Sequence, residues 1–316
     1  MKKSTYGEKE SNASKTTKNK LKLMLGENNK MISIVMPVYN EEANIISTLD
    51  ALYGNTVLPD EVIIADGGST DQTVALIQKH YPQATVVNNP KRNAASGRNV
   101  GIKLAKGDII AFTDGDCIVA KDWIENIYNA FNKNNIDGLG GKVLNAEPVN
   151  HIEEYWGNIA WKVLMTFGDD AYKVEKRTLN DAFVTANCAY KKELLIRLDG
   201  FSEWFANNAE DVDLSWRALK SGARLMYIPA VQIYAHNVTT VKGVAKKSFR
   251  NGVSSSKLQK IYGGKVNFDP NIYRFLGHNI VGFFKHEKDA GLNVLELVCH
   301  LAGKYYGSFK VHVINV

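Results

Sequence analysis

The chain is poor in cysteine and has no long apolar run, and each shortage removes a class of protein. Its three thiols, Cys117, Cys188 and Cys299, are odd in number, far apart and free of any CxxC pair. They support neither a disulfide framework nor a zinc site, which points to a reducing cytoplasm. No stretch reaches the ~18 consecutive apolar residues of a spanning helix, and the opening segment lacks the apolar centre of a signal peptide. Internal repeats are missing, as is any low-complexity tract after residue 30. A basic nucleic-acid groove is missing too. Residues 1–30 carry eight Lys against three Glu and residues 237–316 carry twelve Lys or Arg against four acids, so the overall +6 leaves residues 31–236 at −7. An acidic body with basic ends does not gather cations along one face, as binding to a phosphate backbone requires. Basic ends suit an anionic membrane surface, met through Lys246, Lys247, Arg250 and their neighbours, on which such a chain lies rather than spans.

What is present is a globular composition, 45% hydrophobic and 23% charged, in a chain of 316 residues. Residues 1–30 read as a flexible basic leader. Order begins at Met31 to Val38, an apolar run suited to a buried parallel strand, and Asn40-Glu41-Glu42 opens a helix with Ile45, Ile46, Leu49 and Leu52 on one face. Glu61 to Ala65, Thr85 to Val87 and Asp108 to Phe112 repeat the strand, with helical patterns between them. This alternation predicts a doubly wound α/β sheet, whose ligands sit beyond the carboxyl ends of its strands. After residue 120 the pattern loosens. Helices are expected at 123–132 and 155–167, and strands at 138–144, 181–190, 224–229 and 232–236. A helix begins at Glu210-Asp211, and basic helical segments follow at 241–261 and 292–306. The predicted division is a leader, a catalytic domain over 31–236 split near residue 120, and a helical extension over 237–316.

One strand ends in Asp114-Gly115-Asp116. Side chains two apart on an extended backbone face the same way, so both carboxylates can address one cation while Gly115 admits a close approach. Carboxylate oxygens suit Mg²⁺ or Mn²⁺, which complete their shells with water and substrate phosphates. Alone, the triplet is equally a solvated turn.

The ordered set of motifs is more specific. Pro37-Val38-Tyr39-Asn40-Glu41, Asp66-Gly67-Gly68-Ser69-Thr70-Asp71, Gly97-Arg98-Asn99-Val100-Gly101, Asp114-Gly115-Asp116, Asp199-Gly200-Phe201-Ser202-Glu203, Glu210-Asp211, and Pro229 with His236 occur in sequence. Together they resemble glycosyltransferase family 2 enzymes of the GT-A fold. The resemblance spans Ser33 to His236 and implies inverting transfer of a sugar from a nucleoside diphosphate donor to an acceptor hydroxyl. It places Pro37, Tyr39, Glu41, Asp66, Arg98, Asp114 and Gly115 at the donor. Glu41 and Asp66 can accept hydrogen bonds from base and ribose, and the ring N–H of uracil favours a uridine donor. Helix-dipole stabilisation of Glu41 and an Asx turn at Asp66 are the alternatives. Arg98 can meet phosphates or join a surface ion pair. Asp116 is the expected metal ligand, with His236 completing the coordination or serving the structure. Asp211 is the expected general base, its proton affinity raised by Glu210, against a capping role. Asp213 is expected to pair with Arg217. Trp204 and Glu210 are expected on the acceptor side, and Trp156 and Trp161 in the core.

The expected enzyme is therefore metal-dependent, cytoplasmic and peripheral on the inner face of the membrane, with a glycan or polyprenyl-linked acceptor. Two other readings compete. A nucleotidyltransferase would need a basic, Gly-rich loop after the first strand, where this chain has the acidic Asn40-Glu41-Glu42. A non-catalytic sugar-nucleotide-binding subunit would keep the donor residues without turnover.

Overall fold

A computed structural model describes residues 30–163, 168–179, 182–206, 208–263, 278–285 and 287–312. The leader expected over residues 1–30 falls outside them apart from Lys30.

Nine strands form one mixed sheet: β1 (Ile32–Val38), β2 (Glu61–Asp66), β3 (Thr85–Asn88), β4 (Ile109–Phe112), β5 (Cys117–Val119), β6 (Gly138–Asn145), β7 (Tyr172–Val174), β8 (Cys188–Lys191) and β9 (Leu225–Ala235). Their order is β3-β2-β1-β4-β8-β6-β9-β5, with β7 on β9. The first four strands pair in parallel. Chain direction reverses at β8, which is antiparallel to both β4 and β6. The switch between β1 and β4 opens a crevice at the strand ends that carry Tyr39 and Asp114.

Helices among the described residues include α1 (Ile45–Tyr53), α2 (Thr73–His80), α3 (Ala94–Leu104), α4 (Trp123–Lys133), α5 (His151–Val163), α6 (Lys192–Arg197), α7 (Glu210–Lys220), α8 (Val241–Tyr262) and α9 (Ala290–Val311). Successive residues of β1 face opposite sides and both sides are covered, which accounts for a sequence that is apolar except at Ser33, whose hydroxyl donates to Glu61 Oε2 at 2.6 Å. Ile32, Ile34 and Met36 pack with Leu49 and Leu52 of α1 and Trp123 and Ile127 of α4. On the other side, Val35, Ile110 and Phe112 pack with Ala95 of α3, Leu194 and Leu195 of α6, and Leu214 of α7.

From Cys117 onward the structure departs from the sequence reading in three respects. The two short strands expected around Pro229 are one strand, β9, whose register on β6 shifts between Gly141 and Lys142. Pro229 sits beside that irregularity, where a missing N–H does no harm. Buried Asn187 stitches it by donating to the Lys142 and Val231 carbonyls at 2.8 and 2.9 Å and accepting from Trp123 Nε1 at 2.8 Å. The strand expected from residue 181 is shorter: a 3₁₀ turn at Thr185–Asn187 precedes β8. Strands β5 and β7, three residues each, were not anticipated.

In the extension, α8 and α9 lie side by side through small residues. A Cβ on Gly252 would stand 2.0 Å from the His300 carbonyl oxygen, and one on Gly303 would stand 2.0 Å from that of Phe249. Ser256 Oγ donates to the Lys304 carbonyl at 2.7 Å. Backbone meets backbone, and a side chain at either glycine would force the helices apart. No helix among the described residues is long and apolar enough to cross a membrane.

Candidate active site

The segment from Gly97 to Gly101 explains how the site is assembled. A Cβ on Gly101 would meet Val35 Cγ1 at 2.3 Å, and one on Gly97 would meet Pro37 Cβ at 3.1 Å, so these two glycines let α3 press against β1. The residues between them then reach the far half of the molecule. Asn99 clamps the loop before α7, donating to the Phe201 carbonyl and accepting from the Phe201 N–H, both at 2.8 Å. Arg98 is 2% exposed and bridges the two halves: Nη2 donates to Asp114 Oδ1 at 2.8 Å and Nη1 to Glu210 Oε1 at 2.7 Å. Burial alone would lower its basicity, but Asp114 and then Glu210 outweigh that and raise it. It is a buried tie between carboxylates, with both terminal nitrogens engaged, and neither a surface ion pair nor a fork turned toward phosphate.

Asp114 follows β4 and Glu210 opens α7, so the tie joins the end of that strand to the start of that helix. Ala209, just before α7, has φ +69°, a left-handed conformation costing a non-glycine residue roughly 1–2 kcal/mol. It sets the angle at which the acidic pair enters the cavity. Burial, followed by the neighbouring Asp211 charge, pushes the Glu210 carboxyl up to about 7 against the pull of Arg98. Burial and then Asp114 also raise Asp211. Asp211 makes no ion pair among the described residues, and one oxygen accepts the Val212 N–H at 2.8 Å. The capping position is held by Ala209, so capping does not account for Asp211. Asp213 forms the expected pair with Arg217 Nε at 2.7 Å, while Arg217 holds the Leu198 and Gly200 carbonyls at 2.6 and 2.8 Å.

These groups line a cavity of ≈ 680 Å³ that also takes in Pro37, Tyr39, Glu41, Gly115, Asp116 and His236. Of the residues expected at the site, Asp66 and Trp204 alone are not in its wall. Both Asp66 oxygens accept from its own loop, from the Gly68 and Ser69 N–H groups and from Ser69 Oγ at 2.6 Å. That is the Asx-turn alternative, and Gly67 rather than Asp66 faces the cavity. Trp204 is 44% exposed, and Lys257 Nζ lies 5.1 Å from its ring centre. Gly115 gives close quarters to protein, not to a ligand: a Cβ there would stand 3.0 Å from Val38 and 3.1 Å from Glu41.

The carboxylates are crowded. Burial and then Asp114 raise Asp116, and burial raises Glu41, with Asp116 and Asp114 adding to the effect. A cation placed there would relieve this repulsion. His236 Nδ1 lies 3.1 Å from Oε1 of buried Glu153, which also accepts the Asn237 N–H at 2.8 Å. Such a carboxylate contact orients an imidazole and frees its other nitrogen for a ligand. No three His, Cys, Asp or Glu among the described residues gather closely enough to hold a metal by themselves. Asp116 and His236 line the same cavity, and carboxylate oxygen with imidazole nitrogen is a donor set that fits a divalent ion completing its shell elsewhere.

The sequence reading gave one wall no part in the site and set its Lys247, with Lys246 and Arg250, against a membrane surface, whereas Lys247 lines the cavity. Lys247, Asn251, Ser254 and Ser255 of α8, and Glu296 and His300 of α9, line the cavity, and Asn89, Arg92 and Asn93 form its rim near Gly67. Trp156 is buried as expected and lines the cavity as well. The described part of α5 omits the Trp161 side chain. Four-residue spacing of small residues, Gly252 to Ser256 and Gly303 to Gly307, was the available sign that α8 and α9 pair closely.

Residues 33–198 match the family Glycosyl transferase family 2, over half of the chain. The chain belongs to glycosyltransferase family 2. This glycosyltransferase is 26% identical over 242 residues to the O-antigen chain rhamnosyltransferase RfbN of Salmonella typhimurium, covering 74% of this chain and 76% of RfbN. It is also 26% identical over 227 residues to glycosyltransferase AglE of Haloferax volcanii, covering 70% and 71%. Among solved structures it resembles the mannosyltransferase PcManGT from Pyrobaculum calidifontis, determined with GDP-Man and Mn²⁺, at TM-score 0.60 and 17% identity over 95% of this chain and 97% of that one. It also resembles TarS residues 1–349 of S. aureus at TM-score 0.52 and 16% identity, covering 87% and 91%. These likenesses place the glycosyltransferase in the GT-A fold.

Proposed function

We propose that this glycosyltransferase moves a sugar from a nucleoside diphosphate donor to an acceptor hydroxyl with inversion, using Asp211 as general base. The observation that carries the reading is the Arg98 tie. It holds Asp114 and Glu210 at 2.8 and 2.7 Å and leaves Asp211, next to Glu210, without an ion pair among the described residues. A base needs that: proton affinity raised by burial, no ion pair holding it ionised, and a place in the cavity wall. The acceptor proton passes to Asp211 as its oxygen attacks the sugar from the face opposite the leaving diphosphate.

Asp116 and His236 are the residues that would hold Mg²⁺ or Mn²⁺, with Glu153 orienting the imidazole. Such an ion, when bound, offsets the charge gathering on the diphosphate. Glu41, Tyr39 and the Gly67 backbone form the nucleoside end. PcManGT was solved with GDP-Man and Mn²⁺ and TarS with UDP, both nucleoside diphosphates. We keep uridine as the base from the chemistry of the uracil ring N–H alone; for Asp66 to accept it, the Asx turn that occupies both its oxygens outside the cavity wall must open. Amide and hydroxyl groups of Asn251, Ser254 and Ser255 suit a glycan acceptor, lipid-linked or free, in keeping with the O-antigen chain named for RfbN. Exposed Phe284 and Phe309, 77% and 79% accessible, with Lys285 and Lys310 beside them, suit a peripheral contact with the inner face of the membrane.

The test is thermal stabilisation by a panel of nucleoside diphosphate sugars with and without Mn²⁺, followed by donor hydrolysis by the wild type and Asp211→Asn. Metal-dependent stabilisation by uridine donors and slow hydrolysis lost in the variant are expected. Stabilisation by guanosine donors alone overturns the uridine assignment. Donor binding without turnover in either protein overturns the catalytic one.

A further inference from the structure

We propose that Lys247 of α8 binds the diphosphate of the donor, so that the leaving-group subsite is completed by the C-terminal helices and not by the family-matched segment alone. This rests on the nucleoside diphosphate reading above. Lys247 lies in the cavity that contains Asp114 and Asp116, with Nζ 5.8 Å from the ring centre of Trp156. Among the described residues it makes no ion pair and no hydrogen bond, so the aromatic face is its one polar contact. An ammonium held in this way is positioned by the ring without being neutralised by it. Burial lowers its basicity, while Asp116 and Asp114 act to keep it charged.

The other cations of the cavity wall are not placed for the task. Arg98 has both terminal nitrogens bound to carboxylates. Arg92 is exposed at the rim, its guanidinium against Gly68 on the nucleoside side. Lys246 and Arg250, the basic neighbours of Lys247 on α8, are exposed and outside the wall. Yet the cavity demands cations, because a diphosphate entering it meets Glu41, Asp114, Asp116 and Asp211. Lys247 is also held at a fixed depth. Gly252, five residues on, touches the α9 backbone, and Ser248 is fully buried. When the bond between the sugar carbon and the β-phosphate oxygen breaks, its electron pair stays on that oxygen. Lys247 keeps its proton throughout and stabilises the resulting charge, while the acceptor proton goes to Asp211.

The experiment is calorimetric titration of UDP, UMP, GDP and GMP, with Mn²⁺, into wild type, Lys247→Met and Lys247→Arg. The wild type should bind one diphosphate more tightly than its monophosphate. Lys247→Met should weaken the diphosphate by about 10- to 100-fold, the usual worth of a charge-assisted hydrogen bond, with the monophosphate changed by less than about threefold. Lys247→Arg should recover most of the loss, and serves as the informative variant if the methionine form does not fold. Unchanged diphosphate binding in both variants, or equal losses for diphosphate and monophosphate, overturns the subsite while leaving the donor reading intact. A wild type that binds neither diphosphate overturns both.

Discussion

Glu210→Gln tests the electrostatics of the tie. The amide keeps an oxygen for Arg98 Nη1 at the present 2.7 Å but removes the charge that burial and Asp211 penalise. In the folded wild type the carboxyl titrates near 7, raised from 4.5. The native state therefore keeps this proton through a range in which the unfolded chain has lost it, and stability falls as pH rises from the unfolded value through the folded one. A shift of that size corresponds to about 3 kcal/mol between pH 4.5 and 7.5. Urea denaturation of both proteins at pH 5, 6, 7 and 8 reads it directly. At pH 5 the two should differ little from this cause, and by pH 8 the variant should have gained on the wild type by about 3 kcal/mol. Parallel curves would refute the reasoning, since they would mean Glu210 is ionised in both states and its bond to Arg98 fully offsets burial.

Asp211→Asn should lower kcat by about a hundred- to ten-thousand-fold with the calorimetric affinity for nucleoside diphosphate unchanged, as expected for loss of a general base. Asp116→Ala, or chelation of the wild type, should abolish the Mn²⁺-dependent part of nucleotide-induced thermal stabilisation; persistence of that part would remove Asp116 from the ion. Gly303→Val sets a side chain where even a Cβ stands 2.0 Å from the Phe249 carbonyl, and should cost about 2–3 kcal/mol in urea denaturation as α8 and α9 separate.

The parallel half of the fold was legible because its strands, covered on both faces, are almost wholly apolar, as in Ile32 to Met36, where Ser33 is the one polar residue. The acidic corner was legible only through the ordered set of motifs, since Asp114-Gly115-Asp116 by itself reads as a turn and Asp211 by itself as a helix cap. Arg98 was legible as a site residue but not in its partners. Asp114 lies 16 residues away and Glu210 112, and no local pattern encodes a bridge across that distance. The α8 and α9 wall was invisible for a different reason. Its cavity residues, Lys247, Asn251, Ser254 and Ser255, have the polarity of a solvated face, and its packing uses glycine and serine where periodicity seeks apolar side chains. β5 and β7 are too short for any periodicity to show.

The family match ends at residue 198, yet Glu210, Asp211, Lys247 and His300 all come after it. The chain thus divides its recognition unevenly along its length. The earlier part is a socket that carries the family match, and β9, set between β6 and β5, together with α7 in the core, builds residues 210–235 into that same body. Helices α8 and α9 are the cover, lying over the cavity and joined to each other through glycines. They are accordingly the pair to exchange together between members of the family when a new wall is wanted on an old site.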